Sequence, residues 1–173
     1  TFNPMPALLQ RAIHVGVGFG LIFLIYPATK KSSRLKVAWY DWIWFLLSLS
    51  GVGYLLVEYQ DIVTVRGGIP NQLDIIFSMI TVLCVLEGTR RITGFILPLF
   101  ALIFLAYPFI SHLDFMPDRL LTRAYDMGDI FGQLYLKTEG LCSTAIGASV
   151  TFIFLFILFG AFLSRSGMGQ LFN

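Results

Sequence analysis

Histidine and cysteine each occur only twice in this 173-residue chain, and charged residues make up just 13% of it. Two His and two Cys, widely separated, are too few to build a zinc site. No Ser, His and acid are placed to form a hydrolytic triad. The GxxxxGK[ST] loop that cradles phosphates is missing, so this segment is no P-loop ATPase. A formal net charge of +2, dispersed along the chain, is too weak for a nucleic-acid partner. Soluble domains carry about a quarter charged residues. With 57% apolar residues and a mean hydropathy of +0.78, this chain is built for another solvent.

What is present is a series of long apolar stretches. They run over 12–28, 39–57, 73–86, 92–111 and 141–163, and the last holds 23 consecutive residues without a charge. Lipid offers backbone amides no hydrogen-bond partners, so a spanning segment must be a helix of about 20 mostly apolar residues. The pattern predicts an all-α integral membrane fold with about five transmembrane helices. The third stretch is the weakest, because only the 12 residues from Ile75 to Leu86 are free of charge. It crosses only if its charged flanks sit among headgroups, and a buried or re-entrant segment is the alternative.

Basic residues test the topology, since short Lys- and Arg-rich loops tend to stay cytoplasmic. Lys30, Lys31, Arg34 and Lys36 follow the first stretch, Arg90 and Arg91 the third, and Arg165 the fifth. Five crossings put all three groups on one side, leaving a net acidic opposite side, with Thr1 outside and Asn173 in the cytoplasm. Trp39, Tyr40, Trp42 and Trp44 form an aromatic belt at the inner edge of the second span. Asp41, among them, is expected in a first helical turn, where free amides and the helix dipole stabilise a carboxylate.

The one sizeable connector, 111–140, reads as an amphipathic helix on the outer interface. Pro117 and Asp118 mark its start, and Leu120, Ala124, Met127, Phe131, Leu134 and Tyr135 recur near helical spacing, with an interruption near Gly128. It is either a connector packed on the membrane surface or a docking ledge, whose charged residues Asp118, Arg119, Arg123, Asp126 and Asp129 are the candidate partner-docking set.

Ionisable groups at membrane depth are the usual pointers to a transport path, and here they are few. His14 and Arg11 lie three apart near the start of the first span. Glu87 has Arg90 and Arg91 at i+3 and i+4, a spacing that allows pairing on one helix face. Glu58 closes the second span and is expected to be solvated. Pro98 and Pro108 invite kinks in the fourth span. Ser143, Gly147 and Thr151 give the fifth a small-residue face for close helix approach. Cys84 and Cys142 fall at opposite depths and are expected to be unpaired core residues. Paired carboxylates and His clusters are missing from the spans, so no enzyme and no cofactor are expected. A chain beginning at Thr1 without a leader, and ending shortly after a span, reads as an excerpt of a longer polypeptide.

Five collinear phrases carry a family resemblance: PALLQRAIHVGVGFGLIFLIYP (Pro6 to Pro27), WYDW (Trp39 to Trp42), VLEGTRR (Val85 to Arg91), QLYLKTEG (Gln133 to Gly140) and GASVTFIFLFILFGAFLSRSGMGQLF (Gly147 to Phe172). Together they resemble the fused membrane component of tripartite ATP-independent periplasmic (TRAP) transporters, TAXI branch. That resemblance implies small-subunit-like scaffold helices over 1–134 and the beginning of a large-subunit-like transport domain over 135–173. It also implies a secondary transporter of a bacterial or archaeal inner membrane, driven by sodium or protons and importing an organic anion. Its implied partners are a periplasmic solute-binding protein, the rest of the permease polypeptide and the lipid bilayer. The coupling ion and substrate would bind beyond Asn173. The competing reading is a membrane assembly or sensory module with no transport of its own.

Overall fold

The computed structural model describes residues 5–28, 38–112 and 122–166. Helices account for the regular structure, with no strand among the described residues. Four of them are long and apolar enough to cross a membrane: α1 (Ala7–Ile25), α2 (Trp39–Val65), α3 (Gln72–Thr93) and α6 (Thr144–Arg165). Between α3 and α6 come α4 (Ile96–Ile110) and α5 (Met127–Tyr135). The chain is an all-α membrane protein segment, as its hydropathy requires.

The third stretch, weakest by charge count, forms a full 22-residue helix. Its capping chemistry lies outside the uncharged window. The Asn71 side chain accepts from the Gln72 amide, while the Asp74 carboxylate accepts from the Asn71 amide at 2.7 Å. This reciprocal box satisfies amides that begin the helix, and Arg90 and Arg91 close it near the negative end of its dipole.

The fourth stretch departs from expectation. Gly94 takes φ +90°, a conformation costly for any side chain, and ends α3 inside the apolar run. Only the 15 residues of α4 remain beyond the turn. At a rise of about 1.5 Å per residue they reach about 22 Å, short of a hydrocarbon core of about 30 Å. Pro98 sits in the first turn of α4, where its missing amide costs nothing, and Pro108 lies inside the helix near its end.

The interfacial helix also differs from its prediction. Residues 122–126 are not helical, and α5 starts at Met127 behind Asp126 as its N-cap, so Gly128 lies in the first turn rather than at an interruption. Asp118 and Leu120 lie outside the described residues. Ile130, Phe131 and Tyr135 of α5 are buried, and the Ser78 hydroxyl of α3 donates to Phe131 O at 3.0 Å. The helix is thus packed onto the bundle through Phe131 and Tyr135 of the expected face together with Ile130, while Met127 of that face stays exposed.

Helices α1, α2 and α3 pack mutually, with α4 and α5 against α3. Gly16 of α1 lies so close to Val52 of α2 that a Cβ would collide with it. A buried cluster of Leu8, Ala12, Leu55, Ile62, Tyr135, Leu136 and Cys142 joins α1, α2 and α5 to the segment leading into α6. Helix α6 meets α1 through its N-terminal part, as far as Phe154, whose ring stands edge-on to His14 at 6.2 Å, and from Phe154 to Arg165 none of its residues is buried.

Candidate functional site

Polar side chains concentrate at the two ends of the α1–α3 bundle and along the seam between α1 and α6. At one end, α2 finishes in a turn of π-helix, Asp61–Val65, and the Arg66 amide donates back to Asp61 O at 2.9 Å. Gly67, at φ +58°, reverses the chain, and the Gly68 amide reaches Ile62 O. This turn delivers Arg66 to α3. Its Nη1 donates to Asp74 Oδ2 at 2.5 Å and its Nη2 to Glu58 Oε2 at 3.3 Å. The Tyr54 hydroxyl donates to the other Asp74 oxygen at 2.7 Å, and its ring stacks on Phe77 at 4.2 Å. Asp74 is 1% exposed and accepts from three donors, so its burial is compensated. Glu58 is therefore an ion-pair partner of Arg66 rather than simply solvated.

The Tyr135 hydroxyl beside this cluster donates to Gly51 O. Burial pushes its phenol above the ordinary range, and the charge of Asp74 adds to the effect. The hydroxyl acts as a hydrogen-bonding pin.

At the opposite end, Glu87 accepts from Arg90 Nε at 2.7 Å and from Arg91 Nε at 2.9 Å, the pairing its i+3 and i+4 neighbours predict. Arg91 reaches further than the sequence reveals. Its side chain is fully buried, with Nη1 2.7 Å from Asp41 Oδ1 on α2 and donating to Tyr26 O beyond α1, while Cζ lies 4.9 Å from the Phe23 ring centroid. The Asp41 contact is an ion pair rather than an aligned hydrogen bond, and among the described residues Asp41 Oδ1 has no hydrogen-bond partner. Proximity of opposite charges in a site without solvent makes the ionic attraction the term that matters. Asp41 does lie in the first turn of α2, but its main partner is this guanidinium. Trp39 and Trp42 are exposed as a belt requires, whereas Trp44 packs on Phe23 at 5.8 Å.

Along the α1–α6 seam, Arg11 Nη1 donates to Cys142 O at 3.0 Å, and His14 Nε2 lies 3.2 Å from Ser149 Oγ. Gly147 meets Arg11 directly, so the small-residue face of α6 receives a polar stretch of α1 rather than an apolar ridge. Cys142 is buried and free, as is Cys84. Burial pushes the Cys142 thiol up, with Arg11 opposing more weakly.

Of the five docking candidates, Asp118 and Arg119 lie outside the described residues. The other three share one exposed stretch. Arg123 stacks on Tyr125 with Cζ 4.7 Å from the ring centroid, Asp126 caps α5 through the Gly128 amide at 3.4 Å, and Asp129 borders a groove of about 610 Å³ between α4 and α5. That groove is walled by Phe104, Leu105, Pro108 and Ile130, with Gln133 and Thr122 at its polar edge. Among the described residues, no three His, Cys, Asp or Glu side chains gather as metal ligands would.

No family model matches the chain, and neither the curated proteins nor the solved structures contain a match to it.

Proposed function

We propose that this chain is the scaffold part of a secondary active transporter in a bacterial or archaeal cytoplasmic membrane. It would import an organic anion delivered by a soluble periplasmic binding protein, using a sodium or proton gradient. The observation that carries the reading is the collinear series of phrases from Pro6 to Phe172 that resembles fused TRAP permeases. An ion-pair cluster that ties α2 to α3 at one end, and Arg91 that ties α1, α2 and α3 at the other, suit a rigid frame against which a transport domain moves. The apolar length of α6 beyond Phe154 suits lipid or a helix of that domain. Substrate and coupling-ion sites belong, on this reading, to polypeptide beyond Asn173. On this reading α4 also crosses, with its flanks in the headgroup layers or the bilayer thinned around it, so that Thr1 faces outward, Asn173 faces the cytoplasm and the acidic connector faces the binding protein.

The test reconstitutes the complete permease in proteoliposomes with its binding protein and measures gradient-driven uptake. Reversing charge at Asp118, Arg119, Arg123, Asp126 and Asp129 is expected to weaken docking roughly tenfold or more, most strongly at low salt. Unchanged docking and uptake would remove those residues from the interface. No uptake under either gradient would sink the transport reading and leave a membrane assembly or sensory module in its place.

A further inference from the structure

Arg11 stands on α1, a helix of spanning length, with no carboxylate within ion-pairing distance among the described residues. A guanidinium at the edge of a span keeps its donors in the interface or finds an anion there. Its Nη1 serves Cys142 O, and its remaining donors have no partner among the described residues. A Cβ on Gly147 would lie 2.8 Å from Nε, 2.8 Å from Nη2 and 2.9 Å from Cζ. Both nitrogens are nearer than Cζ, so it is the Nε/Nη2 edge that lies beside Gly147, in space left open because residue 147 has no side chain. That edge is the fork which grips carboxylates and phosphates through two parallel hydrogen bonds.

A crevice of about 290 Å³ opens there, lined by Gln10, Arg11, Thr144 and Thr151 together with Ala148 and Phe152. Among the described residues no acidic side chain lines it. The Thr151 hydroxyl is committed to Gly147 O at 2.9 Å, which leaves the Thr144 hydroxyl and the Gln10 amide as further donors. The wall of α6 is shaped by a π-helical turn, Ser149–Ile153, held to α1 by the His14 to Ser149 contact. Such turns inside α-helices are frequent at functional sites.

We propose that this crevice is an oxyanion site, in which the Arg11 fork receives a phosphate or carboxylate supplied by a phospholipid headgroup or a soluble anion. It stands apart from the ion-pair clusters at the bundle ends and does not depend on the transport reading.

The protein is purified and placed in phosphatidylcholine nanodiscs, with or without phosphatidylglycerol. Native mass spectrometry counts retained phosphatidylglycerol, and calorimetry measures citrate binding. The wild type is expected to enrich one of these probes. Arg11→Gln should weaken that binding roughly tenfold or more, and Arg11→Lys, keeping the charge without the fork, should fall between. Ala148→Leu fills the crevice while Arg11 retains its bond to Cys142. It should abolish binding without lowering the unfolding temperature, and it decides the matter if Arg11→Gln fails to fold. Loss of phosphatidylglycerol enrichment assigns the site to lipid, and loss of citrate binding assigns it to soluble anions. Binding of neither probe by the wild type, or equal binding by folded Ala148→Leu, overturns the proposal and leaves Arg11 as a brace for Cys142.

Discussion

Arg91 Nη1 lies 2.7 Å from Asp41 Oδ1, joining the end of α3 to the start of α2 with both side chains sealed from solvent. Because Arg91 also holds Glu87 and the Tyr26 carbonyl, one guanidinium ties α1, α2 and α3 at a common point.

Removing its partner strands a buried charge. Asp41→Ala is expected to destabilise the protein by about 3 kcal/mol, because Arg91 keeps its desolvation cost while losing an ion pair. The double variant Asp41→Ala with Arg91→Met should recover much of the loss, read as the midpoint of detergent-induced unfolding. A midpoint for Asp41→Ala equal to the wild type would mean that Glu87 alone compensates Arg91.

Asp74 and Tyr54 should differ in weight at the opposite end. Tyr54→Phe deletes one of three hydrogen bonds to a buried carboxylate and should cost about 1 kcal/mol. Asp74→Ala removes the reciprocal half of the α3 capping box and the main partner of Arg66, and should cost about 3 kcal/mol or more. Thermal unfolding in detergent that ranked Tyr54→Phe as the worse of the two would contradict this geometry.

Close contact between α1 and α2 depends on Gly16. Gly16→Leu must displace Val52, and overpacking of this kind costs about 1–3 kcal/mol. Combining it with Val52→Ala should restore part of the stability. A pair of variants whose losses simply add would show that the two residues do not meet.

Cys142 should resist alkylation. The thiolate is the reactive form, and a thiol raised by burial is less ionised at neutral pH than an ordinary cysteine. Maleimide labelling of the Cys84→Ser protein should be slow at pH 7, should quicken as pH rises through the elevated value, and should become fast on unfolding. Rapid labelling of the folded protein at pH 7 would place Cys142 at the surface.

Local signals in the sequence had clear structural outcomes. The uncharged run ending at Leu163 forms α6, and the Glu87, Arg90 and Arg91 spacing forms the pairs it implied, since neighbours three and four apart meet on any helix. The capping box of α3 was readable as Asn71 followed three residues later by Asp74, a signal the charge count obscured. The fourth stretch is shorter as a helix than its hydropathy implies, because Gly94 turns the chain inside the apolar run. Apolar spacing alone predicts helix through 122–126, but the Asp126 side chain caps α5 and starts it at Met127.

Solvent choice and helix content were determined by sequence alone, because both are sums over neighbouring residues: apolar side chains partition into lipid, and amides there must bond within a helix. Partnership was decided only by tertiary structure. Asp41 could have been a surface cap and Glu58 solvated. What each became depended on which distant helix arrived beside it, since the energy of a charge is set by the groups surrounding it in space.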